Sequence, residues 1–268
     1  MVLTRLKACA RGRGFTKGFN ALRNRMTGPI SGPITGLITG PIKGTVVFDL
    51  DGTLADTSGD LLAAANACFQ ALGHGALLDA RDTLTAFQGG RAMLRLGFSR
   101  LGQVDEAEVD RHHPILLRAY GSAIDTHTRL YQGAVEAVQD LRRAGYVTTI
   151  CTNKPKGLAD ILLDRLGIRD LFATVIGADS LPTRKPDPAP YLAAVLGGGG
   201  DVARSLLVGD TETDLRTARA AGVPVVLVAF GPEGRGIERL GPDAMLNHFD
   251  DLGAVVARLL PVCGLSAN

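Results

Sequence analysis

From Thr45 onward, short β-branched runs alternate with stretches of helical periodicity, and this alternation narrows the fold more than any other property of the chain. "TVVFDL", "YVTTIC", "TVIGA", "SLLVG" and "VPVVLVAF" are apolar runs of strand length, and their continuity means burial on both faces. Between them "GAVEAVQDLRRAG", "KGLADILLDRLG", "DPAPYLAAVLG" and "TDLRTARAAG" read as helices closed by glycine. Strands alternating with helices predict an α/β fold with a Rossmann-like parallel sheet core. Residues 58–128 interrupt the pattern. They hold helical runs such as "GDLLAAANACFQALG" and "RAMLRLGFSRLG" and no convincing strand. The segment is too long for a crossover and is expected to be an inserted α-helical cap. The core is then 44–57 together with 129–268. Four glycines at 197–200 are read as a surface turn, since no apolar helix start follows to make a phosphate loop.

The first 43 residues differ in kind. They hold eight of the 29 basic residues and none of the 27 acidic ones, so the remaining 225 residues are mildly acidic. An acidic body argues against nucleic acid as a partner. "MVLTRLKACARGRGFTKGFNALRNRM" is Arg-rich, which suits a transit peptide or a tail that adheres to anionic surfaces, but it has no Ser and its glycines weaken a helix. "TGPISGPITGLITGPIKG" repeats a four-residue unit whose Pro and Gly exclude both helix and ladder. Residues 1–43 are therefore read as a disordered basic tail; translation starting at Met26 or later is the plainer alternative. Four scattered cysteines with no CxxC pair fit reduced thiols in a cytoplasmic protein. No apolar stretch approaches the ~18 residues of a spanning helix, so no membrane partner is expected. A monomer or a homodimer is expected.

The first strand ends in "VVFDLDGTLADT", which places Asp49 and Asp51 two residues apart. On an extended chain they face the same way, at the end of the strand where ligands gather in open α/β sheets. Two carboxylates this close need a cation between them or a shared proton. Such a pair suits a nucleophile and an acid; the plainer alternative is a turn capped by two acids. "LLVGDTETD" repeats the design with Asp210 and, one helical turn on, Asp214. Carboxylates from adjacent strand ends suit Mg2+, although Asp210 could instead merely cap the helix that follows. "TNKP" ends another strand with Thr152 and Asn153, a hydroxyl and an amide able to bind phosphate oxygens. "RKPDP" presents Lys185 before Pro186, whose ring favours an extended backbone; alone, such a lysine is ordinarily solvated.

Taken together and in this order, the stretches resemble the haloacid dehalogenase-like hydrolases, and "FDLDGTLADT", "TNKP", "KPDPAPYL" and "GDTETDLRTARAAGVP" look most like phosphoglycolate-phosphatase-type members with a helical cap. The resemblance covers about 44–260. It implies that Asp49 attacks phosphorus and forms an aspartyl phosphate, and that Asp51 protonates the leaving alkoxide and then deprotonates water. Mg2+ would be held by Asp49, Asp210 and the backbone carbonyl of Asp51, with Asp214 positioning the metal's waters or Lys185. Lys185 and Thr152 would hold the phosphoryl oxygens. The tail is a departure that the family does not require.

The implied activity is hydrolysis of a small-molecule phosphate ester. A dehalogenase needs no acid for halide, so Asp51 counts against it. Phosphonate hydrolases of the family use a cap lysine, as sugar-phosphate mutases commonly do, and residues 58–128 contain none. A phosphatase for sugar phosphates or nucleotides remains as an alternative, as does a binding protein working through its basic tail. For substrate choice, "FQGGRAMLRLG" is the stretch best suited in the cap. Gly89 and Gly90 let the backbone approach closely, the helix starting near Arg91 aims free N–H groups at an anion, and Arg91 could grip a carboxylate in bidentate fashion. Together with the family resemblance, which carries most of the weight, this implies a small phosphorylated acid, 2-phosphoglycolate first, as substrate; an arginine in solvent is the plainer reading. The five histidines fit no ligand spacing and are assigned no role.

Overall fold

The computed structural model describes residues 42–102 and 104–261. The expectation of a disordered tail over 1–43 falls outside these residues apart from Ile42 and Lys43, as do Cys9 and Cys263. Cys68 and Cys151 are buried free thiols.

Six parallel strands form the main sheet: β1 (Gly44–Phe48), β4 (Tyr146–Cys151), β5 (Val175–Ile176), β6 (Ser205–Gly209), β7 (Val225–Val228) and β8 (Ala244–Leu246). Their order is β5-β4-β1-β6-β7-β8, with β1 paired to both β4 and β6. The chain winds outward from β1 on one side and from β6 on the other. The crevice between the ends of β1 and β6 is thus the switch point where such sheets bind ligands. Side chains two apart share a face, and the strands obey this. Val46, Phe48, Leu206 and Val208 join one apolar cluster, while Val47 and Leu207 join the cluster on the opposite face. Burial on both faces is why these strands read as unbroken apolar runs. The expected strands are all present, and β8 joins them at the edge. Its three residues are too few to register as a run.

Helices α5 (Ala134–Arg143), α6 (Lys156–Arg165), α7 (Ala189–Gly197), α8 (Glu212–Ala221) and α9 (Leu252–Leu259) cover the sheet. The first four match the expected helical runs. The glycine turn after α7 is less superficial than expected. Gly198 is buried, and a Cβ on Gly200 would stand 2.0 Å from the Thr45 hydroxyl.

The cap holds α1 (Ser58–Ala71), α2 (Thr83–Phe87), α3 (Gly90–Arg100) and α4 (Glu106–Ser122). Its apolar residues continue the core cluster on one face of the sheet, through Leu61, Phe69, Met93 and Leu116. Gly97 lets α3 close onto α1, since a Cβ there would fall 2.0 Å from the Phe69 ring. Phe69 in turn meets Phe98 edge to face, with centroids 5.5 Å apart. Helix α4 stands apart from the expected helical runs because Pro114 lies inside it and breaks its apolar spacing. At the root, β2 (Ala55–Asp56) and β3 (Arg129–Leu130) pair antiparallel. Asp60 of α1 adds a clamp: its carboxylate accepts from the backbone N–H groups of His127 and Thr128 at 2.8–3.0 Å and from the Thr128 hydroxyl at 2.7 Å. Both connections to the cap are thereby held side by side.

Candidate active site

Asp49 follows directly on β1, and its N–H donates to Val208 O of β6 at 2.9 Å. That bond carries the sheet one residue further and points the carboxylate over the crevice. Its Oδ1 accepts from Leu50 N at 2.7 Å, and its Oδ2 lies 3.1 Å from Lys185 Nζ. Lys185 is buried, and Nζ also donates to Asp214 Oδ1 at 2.6 Å. The peptide bond from Lys185 to Pro186 is cis.

Asp210 follows directly on β6, but it does not cap the next helix. Thr211 takes the N-cap position of α8 in a capping box with Asp214. Asp214 Oδ2 accepts from Asp210 N at 3.3 Å, Thr211 N at 3.1 Å and Thr211 Oγ1 at 2.7 Å. Both Asp214 oxygens are therefore engaged, one by Lys185 and one by the loop. Asp210 differs. Its Oδ1 accepts from Thr53 Oγ1 at 2.9 Å, and its Oδ2 is buried without any partner. Gly52 makes room for it: with φ of +80°, a Cβ at that position would fall 2.3 Å from Asp210 Oδ2.

Asp49, Asp210 and Asp214 each bring an oxygen within 4.8 Å of the others. Three buried carboxylates thus face a single ammonium, and burying like charges together is costly without a counter-charge. Burial pushes the Asp49 carboxyl up to about 6, against the pull of Lys185. Burial raises Asp210 well above the usual carboxylate range, with Asp214 and Asp49 adding to the effect. For Lys185, burial works to lower the pKa, but Asp214 and Asp49 outweigh it and hold the amine above its ordinary value. An unpartnered buried carboxylate oxygen beside Asp49 is what a divalent cation with hard oxygen ligands requires. The donor set fits Mg2+, with Asp49 and Asp210 as the available carboxylates and Asp214 serving as the buttress of Lys185.

The cavity over these groups measures about 950 Å³. It brings together Asp49, Asp51, Thr152, Asn153, Lys185 and Asp210 from the core with Gly89, Gly90 and Arg91 from the cap. Asp214 lies beneath it, fully buried. Thr152 accepts from Lys154 N at 3.2 Å, leaving its hydroxyl proton to point elsewhere, and Asn153 Nδ2 donates to Lys185 O at 3.1 Å. On the cap side, both glycines line the cavity. Gly89 starts α3 with φ of +95°, and Gly90 packs against His113 and Leu116 of α4. The Arg91 guanidinium is paired with Asp110.

Four groups enter the site without having been singled out in the sequence. Thr53 holds Asp210, Thr57 donates to Asp51 Oδ1 at 2.7 Å, and Lys154 Nζ donates to both Asp51 oxygens at 2.8 and 2.9 Å. Lys154 lies inside the "TNKP" stretch, where its position beside Thr152 was the one available signal. His113 is the fourth. It lines the cavity, half-buried, and burial with help from Arg91 lowers its pKa.

The haloacid dehalogenase-like hydrolase family model matches residues 46–228. The phosphoglycolate phosphatase of Mesorhizobium japonicum is 39% identical over 221 residues, covering 82% of this chain and 97% of that protein. The phosphoglycolate phosphatase of Caulobacter vibrioides is 39% identical over 223 residues, 82% of this chain and 93% of that protein. Among solved structures, a protein from Haemophilus somnus described as a predicted phosphoglycolate phosphatase superimposes with a TM-score of 0.71 at 26% identity, covering 81% of this chain and 99% of its own. CbbY from Rhodobacter sphaeroides, solved with phosphate, shares the fold with a TM-score of 0.65 at 24% identity over 78% of this chain and 96% of its own.

Proposed function

The chain belongs to the haloacid dehalogenase-like hydrolases, and we propose that it hydrolyses a small phosphate monoester through an aspartyl phosphate on Asp49, with 2-phosphoglycolate as the first candidate substrate. The observation that carries this reading is the orphaned Asp210 Oδ2, buried next to Asp49 at the strand-end crevice. In this reading residues 44–57 and 129–268 form the catalytic core and 58–128 the cap.

Asp49 attacks phosphorus in line. Its carboxylate is aimed by the Leu50 N–H on one oxygen and by Lys185 on the other. Lys185 and Thr152 hold the phosphoryl oxygens, whose charge a reaction of this kind must stabilise. Asp214 fixes Lys185 and ties it to the start of α8. Asp51 gives its proton to the leaving alkoxide and then takes one from the attacking water. Asp49, Asp210 and the Asp51 backbone carbonyl would hold Mg2+, which would supply the positive charge needed for a carboxylate to approach a phosphate. Substrate choice falls to the cap, with Arg91 and the start of α3 as the groups for a second anionic function.

A panel of phosphate monoesters tests the assignment, with Mg2+ and again after exhaustive chelation. Turnover is expected with magnesium, none with EDTA, and none when Ca2+ replaces Mg2+, since calcium takes more and longer oxygen contacts. Full activity after chelation would overturn the metal-assisted mechanism. The cavity volume admits esters larger than 2-phosphoglycolate, so sugar phosphates and nucleotides are the competing members of the panel. Their ranking above 2-phosphoglycolate would remove the substrate assignment and leave the phosphatase intact.

A further inference from the structure

Lys154 reaches both the proposed acid and the cap. It leaves the loop after β4, and its side chain is only 3% exposed. Its ammonium has three protons, and the geometry occupies all three. Two go to the Asp51 oxygens, and the third goes to the Tyr120 hydroxyl at 2.9 Å. Tyr120 is buried near the end of α4, and Nζ also lies 4.4 Å from its ring centroid. From the other side Thr57, at the point where the chain leaves the core for α1, donates to Asp51 Oδ1. The Asp51 carboxylate is therefore fixed at the root of the cap by Thr57 and, through Lys154, against a cap helix. A lysine that served only to bind phosphate would direct its protons at the substrate's space. Lys154 lines the cavity as Lys185 does, but its partners are Asp51 and Tyr120, whereas those of Lys185 are Asp49 and Asp214.

We propose that Lys154 is a positioning residue for Asp51, with Tyr120 as its anchor in the cap. This rests on the acid role assigned to Asp51 above. In the first step an Asp49 oxygen bonds to phosphorus as the bond from phosphorus to the ester oxygen breaks. The Asp51 proton passes to that departing oxygen, leaving Asp51 as a carboxylate facing Lys154. In the second step water bonds to phosphorus as the bond from phosphorus to the Asp49 oxygen breaks, the electron pair of that bond returns to Asp49 as a carboxylate, and a proton of the water passes to Asp51. Both transfers need the carboxylate at one place and in one plane. Held on both oxygens, it cannot turn about its Cβ–Cγ bond. Without Lys154, Thr57 alone restrains it, on one oxygen.

The test separates the leaving groups. An alkyl ester needs protonation of its departing oxygen, whereas p-nitrophenolate leaves without it, and kcat/KM reports the steps up to that departure. For Lys154→Met, kcat/KM with the best alkyl ester of the panel is expected to fall about 100-fold, the scale of a lost general acid, and with p-nitrophenyl phosphate no more than about threefold. Tyr120→Phe keeps the ring and removes one hydrogen bond, so the same split is expected at about threefold to tenfold. Equal losses on both substrates, or a gain, would overturn the proposal, because a structural or phosphate-holding lysine serves both alike. Asp51→Asn is measured alongside. If it shows no split, the acid role itself is wrong; if it splits and Lys154→Met does not, only the positioning role fails. Should Lys154→Met not fold by thermal melting, Tyr120→Phe decides, and an unsplit effect there overturns the proposal.

Discussion

On the core side of the cavity, Asp49, Lys185, Asp210 and Asp214 are buried and hold one another, while on the cap side Gly89, Gly90, Arg91 and His113 are half-exposed, and Arg91 is paired with an aspartate at the surface. The two faces are constructed under different constraints. Core carboxylates sit where water cannot screen them, so each must be held by a donor or await a cation. That requirement leaves almost no freedom of position. Across the cavity, an exposed ion pair contributes about 1 kcal/mol or less, and the groups that make it can shift at little cost. In the proposed mechanism the chemistry is thus pre-organised by the sheet, and the choice of substrate would fall to an adaptable surface.

The largest test of this contrast is Asp49→Ala. The attacking group and one cation ligand vanish together, so turnover of p-nitrophenyl phosphate should fall by more than about 10⁴-fold, as when other catalytic nucleophiles are removed. Circular dichroism should show the fold retained, because the residue lies at the surface of the crevice and not within either apolar cluster. Activity above a trace would mean that the core side is not the reactive side. Lys185→Met comes next, with an expected loss of about 10²–10³ in kcat, the scale of one removed electrostatic stabiliser. An effect confined to KM would instead make Lys185 a simple anchor for phosphate.

The contrast also governs what the sequence reveals. Strand ends of the core are legible because burial on both faces forces long β-branched runs, and each run delivers its polar residue at a fixed place. Asp49, Asp51, Thr152 and Asp210 follow from that, whereas Lys185 lies in the loop well beyond β5 and is marked only by the family resemblance; the cavity gathers all five. What Asp214 does is only half legible. Its spacing from Asp210 fits a helical turn, but its two oxygens are engaged by groups that only the fold identifies. Lys154 is harder still, since its partners Asp51 and Tyr120 lie 103 and 34 residues away. In the cap, the Gly89-Gly90 pair suggests an approaching ligand, whereas the structure gives at least Gly90 a packing duty against α4. Helix α4 is hidden by Pro114, and the ribbon of β2 and β3 is too short to show a period.

A subtler test uses the proton as a competitor on the core side. In the metal-free protein the Asp49 carboxyl stands at about 6, raised from 3.8 chiefly by burial. A raised carboxyl favours the folded state when protonated. Its contribution to stability is therefore complete below about pH 4 and is lost as the pH rises through about 6. Mg2+ requires the ionised form, so its apparent affinity should weaken by about tenfold from pH 7 to pH 5. Thermal-shift titrations with Mg2+ at the two pH values measure this, and Asp49→Asn should remove the part of the difference that Asp49 contributes, while the raised Asp210 carboxyl keeps the rest. A pH-independent affinity in the wild type would show that Asp49 does not carry the cation.

The smallest expected effect belongs to the cap, and it is the one that bears on substrate. Arg91 reaches the cavity at the start of α3, yet its guanidinium is already paired with Asp110, and its side chain is 43% exposed. A substrate carboxylate must therefore compete with Asp110 and with water for the same donors. Arg91→Ala should lower kcat/KM for 2-phosphoglycolate by about threefold to tenfold, well below the loss expected of an unpaired, buried arginine. For p-nitrophenyl phosphate, which has no carboxylate, little change is expected. Asp110→Asn supplies the opposing arm. It leaves the arginine in place and removes its competitor, so kcat/KM for 2-phosphoglycolate should rise by about twofold to threefold, with the gain shrinking in high salt. Opposite signs for the two variants, on the carboxylate substrate alone, would place recognition on Arg91. Falls of equal size with both substrates would mean that the pair merely holds α3 against α4, and substrate choice would pass to the other groups that line the cap side, His113 first.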